Sequence, residues 1–466
     1  MVIQHNITAM NSNRMLGITT GSQAKSSEKL SSGYKINRAA DDAAGLSISE
    51  KMRKQMRGLD RASTNADDGV SSVQTAEGAL TEVHDMLQRM NELAVQAANG
   101  TNSKTDRDSI QAEIDQLTIE IDRVAETTKF NETYLLRGGT GYHDKYMKAH
   151  DAGLDGTLTD MGHNAMFTAY VNSDTEVKIA GKDYHLYDKA RDSIGLLQTS
   201  IGNAGSSIVT INGTSYFKGT SSLDGQTKVF IYGDEEYTVA EMQAMVKDGT
   251  RVSVNGHTTR TATDVNLDKN ITVSAALDKM MIALRQANVI GVDSAKIANV
   301  QVNTPVGTQT QSAGMMYTFS ITKGTARVAR DLGLQLHVGA DADMSNKIMV
   351  DIEVMNAANL GIQNLTVTDN SGLQATYAID AIEDAIRQVS EQRSALGAVQ
   401  NRLEHTIKNL DNVVENTTAA ESRLRDTDMA EEMVTYSKNN ILAQAGQSML
   451  AQANQSTQGV MSLLQG

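Results

Sequence analysis

The sequence predicts an α+β protein in which both ends of the chain form a long α-helical coiled-coil bundle and the middle is a β-rich or α+β insertion. Two heptad runs and one change of composition carry this prediction. In the first run, Leu59, Ala62, Ala66, Gly69, Val73, Ala76, Leu80, Val83, Leu87, Met90, Ala94 and Ala97 follow at three- and four-residue steps. In the second, from Ile379, the residues Ile382, Ile386, Val389, Leu396, Leu403, Ile407, Leu410, Val414, Thr417 and Leu424 keep the same spacing, with Arg393, Gln400 and Glu421 as polar interruptions. A repeat of about 3.5 residues holds one seam against a partner only if the helices supercoil. Between the runs the chain turns to Gly, Ser and Thr with short β-type segments.

The elements follow in order. Residues 1 to about 40 form a weak, polar amphipathic segment with Ile3, Ile7 and Met10 on one face. Asp41 and Asp42 then supply acidic groups and a cap for the next helix, where they complement its dipole. That helix runs to Asn99, and the Asn99-Gly100-Thr101-Asn102-Ser103 cluster turns the chain. A second helix carries Ile110, Ile114, Leu117, Ile121 and Val124, antiparallel to the first. Gly138 and Gly139 end the helical region. Short strands are expected over 207–211, 229–232 and 251–254, and helices over 239–247 and 273–287. A hairpin over 336–338 and 347–354 and a turn near Asn370 precede the second heptad run. Residues 425–466 mirror the first segment, with Met433, Ile441, Leu442, Met449, Leu450, Val460, Leu463 and Leu464 among Gln, Ser and Asn. Stripes this weak give a helix little stability alone, so both termini should be loosely ordered until covered.

The domain division is therefore 1–43 with 425–466 as a terminal helical domain, 44–137 with 335–424 as the bundle and hairpin, and 138–334 as an insertion of one or two lobes. With 466 residues, 4% aromatic, no Trp and 23 Met, the cores rest on Ala, Leu, Ile, Val and Met. No Cys is present, which excludes disulfides and thiolate metal sites and suits an oxidising exterior. A net charge of -14 argues against nucleic-acid binding. The locally basic run from Arg14 to Arg57 reads as a solvated or subunit-facing surface. No segment has the length of apolar sequence that spans a bilayer, so membrane insertion is not expected, and the N-terminus lacks the apolar region of a cleaved secretory signal.

Four strings are more specific than any heptad. LSSGYKINRAADDAAGL (30–46) and ELAVQAANGT (92–101) resemble the N-terminal signature of bacterial flagellin, and LGAVQNRL (396–403) and AQAGQSMLAQANQ (443–455) its C-terminal signature. The resemblance covers about 1–137 and 335–466. It implies that the termini form the inner layers of a flagellar filament, that the middle projects outward, and that the chain is a structural subunit and not an enzyme. It further implies export by the flagellar type III apparatus to the cell exterior. The implied partners are further copies of the chain, an export chaperone, and the hook-associated junction and cap proteins. Assembly would fall to Ile3, Ile7, Met10, Met433, Ile441, Leu442, Met449, Leu450, Val460, Leu463 and Leu464. LQRMNELAVQ (87–96) is similar to the flagellin stretch recognised by Toll-like receptor 5, which implicates Gln88, Arg89, Glu92, Leu93, Gln96 and, on the facing helix, Glu113. Asn91 and Leu117 stand where strongly stimulating members carry Arg. In layout the chain departs from many flagellins, because the insertion precedes the LHVGAD hairpin string (336–341). The alternatives are a hook-filament junction protein, or a filament subunit whose insertion binds glycans or host surfaces.

No catalytic or cofactor motif emerges. There is no His-Glu-x-x-His helix. The calcium-loop beginning at Asp341 lacks its Gly and its bidentate Glu, with Asn346 and Ile352 in their places. His143, Asp144, His150 and Asp151 lack a supporting metal-site spacing. Gly138 to Gly141 lacks the spacing of a phosphate loop.

Overall fold

The computed structural model describes residues 6–189, 191–205, 208–222, 228–293, 298–303, 315–369 and 371–464. Its helices are α1 (Ile7–Ser32), α2 (Ala43–Ala98), α3 (Lys104–Thr127), α4 (Ile194–Gly202), α5 (Val239–Ala244), α6 (Val273–Ala287), α7 (Ala357–Leu360), α8 (Leu373–Arg425) and α9 (Met429–Leu464). Two compact units result, one of residues 1–73, 335–350 and 398–466, the other of 74–334 and 351–397. The boundary between them falls within the two longest helices, α2 and α8. The start of the insertion is bonded into α8: Lys148 Nζ lies 2.7 Å from Asp384, and His150 Nδ1 2.6 Å from Asp380.

In the first unit, Ser49 donates to Glu421 and Ser63 to Asp411, so α2 and α8 run antiparallel. The strands Leu332–His337 and Lys347–Ile352 pair. Within this unit Val338 and Ile348 pack with Ala66 and Leu403. Gly58 lets the hairpin approach α2, since a Cβ there would lie 2.9 Å from Ala340 Cβ and 3.0 Å from Ala340 Cα. Asp42 caps α2 by accepting from Gly45 N at 2.9 Å, as its acidic start predicts.

The helical part of the second unit buries Leu80, Leu87, Met90, Ile114, Ile121, Ile382, Val389 and Leu396. Arg393 reaches Glu77 at 2.8 Å across the α8–α2 groove. Ser103 and Asp106 form a capping box that starts α3. Arg107, 2% exposed, donates from Nε to Ala97 O (2.8 Å) and from Nη2 to Asn99 O (3.1 Å). It thereby satisfies carbonyls left over at the end of α2.

The insertion is α+β. A six-stranded antiparallel sheet runs in the order Glu235–Tyr237, Lys228–Tyr232, Thr214–Thr220, Ile208–Ile211, Arg251–Val254, Arg260–Thr261. Leu197 and Ile201 of α4 and Met242 of α5 join Val209, Phe230 and Val252 in its core. A four-stranded antiparallel sheet orders Asn299–Asn303, Met315–Thr322, Asn164–Val171, Thr157–Asp160. A three-stranded sheet centres on Lys182–Tyr187, whose pairing with Asn270–Thr272 is parallel. The strands expected at 229–232 and 251–254 and the helix at 273–287 are present. Ser207 and Asn370, part of the expected strand and turn, lie outside the described residues. Helix α4 and the single turn α7 had no counterpart in the sequence reading.

Candidate functional site: the terminal helix pair and the α2–α3 surface

Both ends fold as helices that lie along each other. Asn6 Nδ2 donates to Ala453 O at 3.2 Å, a Cβ on Gly446 would sit 3.4 Å from Leu16, and Lys29 lies 3.6 Å from Glu432. Rising numbers in α1 meet falling numbers in α9, so the pair is antiparallel. Each terminal helix thus covers the other along a single seam.

The seam is made of small and polar residues. Ala9, Ser12, Leu16, Thr19 and Gln23 are half-buried and Ser26 buried on α1; Gly446 and Leu450 are half-buried and Ala443 and Ala453 buried on α9. The α1 positions step by three or four residues, as a coiled-coil seam requires. Apart from Leu16 and Leu450, the larger apolar residues lie outside this seam. On α1 these are Ile7 (70% exposed), Met10, Met15 and Ile18; on α9 they are Met433, Val434, Ile441 (67% exposed), Leu442 and Met449. At about 3.6 residues per turn, Ile7, Met10 and Ile18 share a stripe roughly opposite Ser12, Leu16 and Gln23. Of the residues expected to carry assembly, Leu450 belongs to the seam edge. Ile3 and the side chains of Val460, Leu463 and Leu464 lie outside the described residues.

A clasp closes this pair at one end. Gly33 takes the left-handed conformation that ends α1 (φ +76°), and its carbonyl accepts from Thr427 N at 3.0 Å. Lys35 N donates to Arg425 O at 2.6 Å, and Tyr34 bridges to Asp426. The Arg425 guanidinium lies 4.6 Å from the Tyr34 ring centre and 3.1 Å from Glu50. The nearby Asp41 carboxyl is held below its usual value mainly by the backbone N–H of Arg38.

On the α2–α3 surface, Arg89 donates to Glu113 (2.9 Å) and to Glu92 (3.1 Å), and these carboxylates push its guanidinium pKa up. Gln88 Nε2 lies 2.9 Å from His84 Nε2. Gln88, Arg89, Glu92, Gln96 and Glu113 are exposed. Leu93, the remaining member of the expected receptor set, is buried in the subunit. At 2% exposed it is a core residue, because α2 meets both α3 and α8 and its buried stripe widens beyond the heptad positions. Val95, exposed beside Gln96, is an apolar surface residue absent from that set.

No cluster of three or more His, Asp or Glu able to hold a metal occurs among the described residues. His143 is exposed, whereas His150 is buried against Asp380. No helix among the described residues is long and apolar enough to cross a membrane.

Long helices paired along their length, with exposed apolar side chains at both chain ends and no metal cluster among the described residues, have the character of a structural subunit. The comparisons with known proteins agree. Residues 3–140 match the bacterial flagellin N-terminal helical region, and residues 379–464 the bacterial flagellin C-terminal helical region. Flagellin of Clostridium tyrobutyricum is 38% identical over 462 residues, covering 98% of this chain and all of the relative. Polar flagellin A of Vibrio parahaemolyticus is 33% identical over 467 residues, with 99% of both chains covered. The chain belongs to the bacterial flagellin family and is a structural subunit of the extracellular flagellar filament. Solved structures are looser matches. FliC from Burkholderia pseudomallei is 19% identical with a TM-score of 0.25, covering 72% of this chain and 99% of its own, a likeness that carries no argument.

Proposed function

We propose that the chain polymerises through the outward faces of α1 and α9, which bury against the corresponding helices of neighbouring copies. The observation that carries this reading is the division of each helix into a small-residue inner seam and a large-residue outer stripe. An apolar stripe of this length left in water marks an interaction surface. Contacts of this kind that do not close on themselves generate an open helical polymer. The same stripes would need cover before assembly. An export chaperone would supply it during passage through the flagellar type III apparatus, and the junction and cap proteins would bound the two ends of the polymer. A chain lacking residues 425–466 tests the proposal. Electron microscopy should show no filaments while far-UV circular dichroism retains the folded second unit; filaments from that chain would refute it.

A second role rests on the α2–α3 surface. Arg89, held by Glu92 and Glu113, and the exposed Gln88 and Gln96 form a charged, ordered patch suited to Toll-like receptor 5. Arg89→Ala and Glu113→Ala should each lower receptor signalling by soluble subunits without loss of thermal stability. Unchanged signalling in both would remove the patch from consideration.

A further inference from the structure

A cavity of about 320 Å³ opens at the root of the insertion, against α8 and α7. Its wall carries four cationic side chains, Lys145, Lys148, Lys323 and Arg387, against two carboxylates, Asp160 and Asp384. Both carboxylates are already engaged. Asp160 meets Lys323 at 2.6 Å, and Asp384 meets Lys148 at 2.7 Å as well as Arg387. The Lys323 side chain is 8% exposed, so this is a built wall and not a loose surface.

Lys145 is the informative residue. Its Nζ donates to the Asn359 carbonyl and to Asn359 Oδ1, both at 2.9 Å, and among the described residues it forms no ion pair. An ammonium has three donors, so one N–H is left over. Glu353 and Asp331 act on its charge from a distance, but Glu353 bonds the Gln388 side chain and Asp331 the Val354 N–H. Burial pushes the Lys145 pKa down, and the Glu353 and Asp331 carboxylates offset this only in part. A partly buried cation without a close counter-charge is unfavourable, and an anion placed beside it removes that penalty. Arg387 pairs with Asp384 and, at 3.9 Å from Nε, with Glu391, and its five N–H groups exceed what these two contacts use. Ile290 and Leu360 are apolar members of the cavity lining.

We propose that this cavity binds a monosaccharide-sized oxyanion, a sugar bearing a carboxylate or a phosphate. Lys145 supplies the counter-charge, Arg387 the additional donors, and Ile290 and Leu360 the surface under the ring. The volume is at the small end of ligand pockets, about 300 Å³, which suits one sugar ring and not a drug-sized molecule. The proposal does not depend on polymerisation.

Calorimetric titration of the full-length soluble subunit with glucuronate, glucose 6-phosphate and glucose tests it. At least one charged sugar should bind at a single site, more weakly as salt is raised, while glucose does not bind. The tighter of the two identifies the oxyanion. Lys145→Met should weaken binding at least tenfold. Lys148→Gln, at an exposed position, should weaken it severalfold and decides the matter if Lys145→Met fails to fold. Absence of binding by either charged sugar, equal binding of glucose, or undiminished binding in the folded variants would overturn the assignment.

Discussion

The outward stripe can be put to a quantitative test by replacing Ile7 and Ile441 with Ser in one chain. The two side chains are 70% and 67% exposed in the subunit, so about two thirds of each remains to be buried. Complete burial of an isoleucine stabilises by about 1.5–3 kcal/mol, which leaves about 1–2 kcal/mol for each of these on assembly. The double replacement should therefore weaken subunit addition by about 2–4 kcal/mol. At 1.4 kcal/mol per tenfold, the critical concentration for polymerisation rises by about 30- to 700-fold. Sedimentation of polymer from purified subunits across a concentration series measures this directly. Because both side chains are solvated in the free subunit, its unfolding free energy should change by no more than about 0.5 kcal/mol. A rise in critical concentration below about threefold would refute the assignment of these faces to assembly, because the burial arithmetic would have no interface to act on.

Three further outcomes follow from the interior. Arg107→Met strips the donors from Ala97 O and Asn99 O and should lower stability by about 2–4 kcal/mol in urea titration; Arg107→Lys, a point charge without the planar fork, should recover only part. Gly58→Ala should destabilise despite the better helix propensity of Ala, because its Cβ meets Ala340 Cα and Cβ, whereas Gly78→Ala, with nothing within 4 Å, should stabilise by about 0.5–1 kcal/mol. Asp380 is held below its usual pKa first by the hydrogen bond from His150, so its contribution is complete above about pH 4 and lost as pH falls through the lowered folded value. The gap in urea midpoint between wild type and Asp380→Asn should accordingly be present at pH 7 and close in acid, and a gap that widens in acid would contradict this sign.

What could be read from the chain was whatever depends on local period and punctuation. The limits of α6, the cap at Asp42, the turn into α3 and the strand at 251–254 all follow from spacing and from the chemistry of turn residues. Sheet order was not readable, because Asn270–Thr272 and Lys182–Tyr187 are joined by a pairing across more than eighty residues that no local pattern encodes. The burial of Leu93 was not readable for a related reason: a heptad describes one seam, and α2 has two neighbours. The α1 seam went unseen because Ser12, Thr19, Gln23 and Ser26 look like a solvated face; only the partner helix shows that they are covered. Arg107 carried a weak signal, a cation a few residues after the end of the preceding helix, but many such arginines are exposed.

The clasp at Gly33–Lys35 and Arg425–Thr427 has a mechanical consequence. The chain enters the bundle from α1 and leaves it for α9 at two points, yet backbone hydrogen bonds and the Arg425–Tyr34 stack tie those points together. Two independent joints would let the terminal helices swing separately and shear past each other. Tied joints leave one shared hinge, so α1 and α9 turn as a single lever, and a torque applied to either is delivered to both.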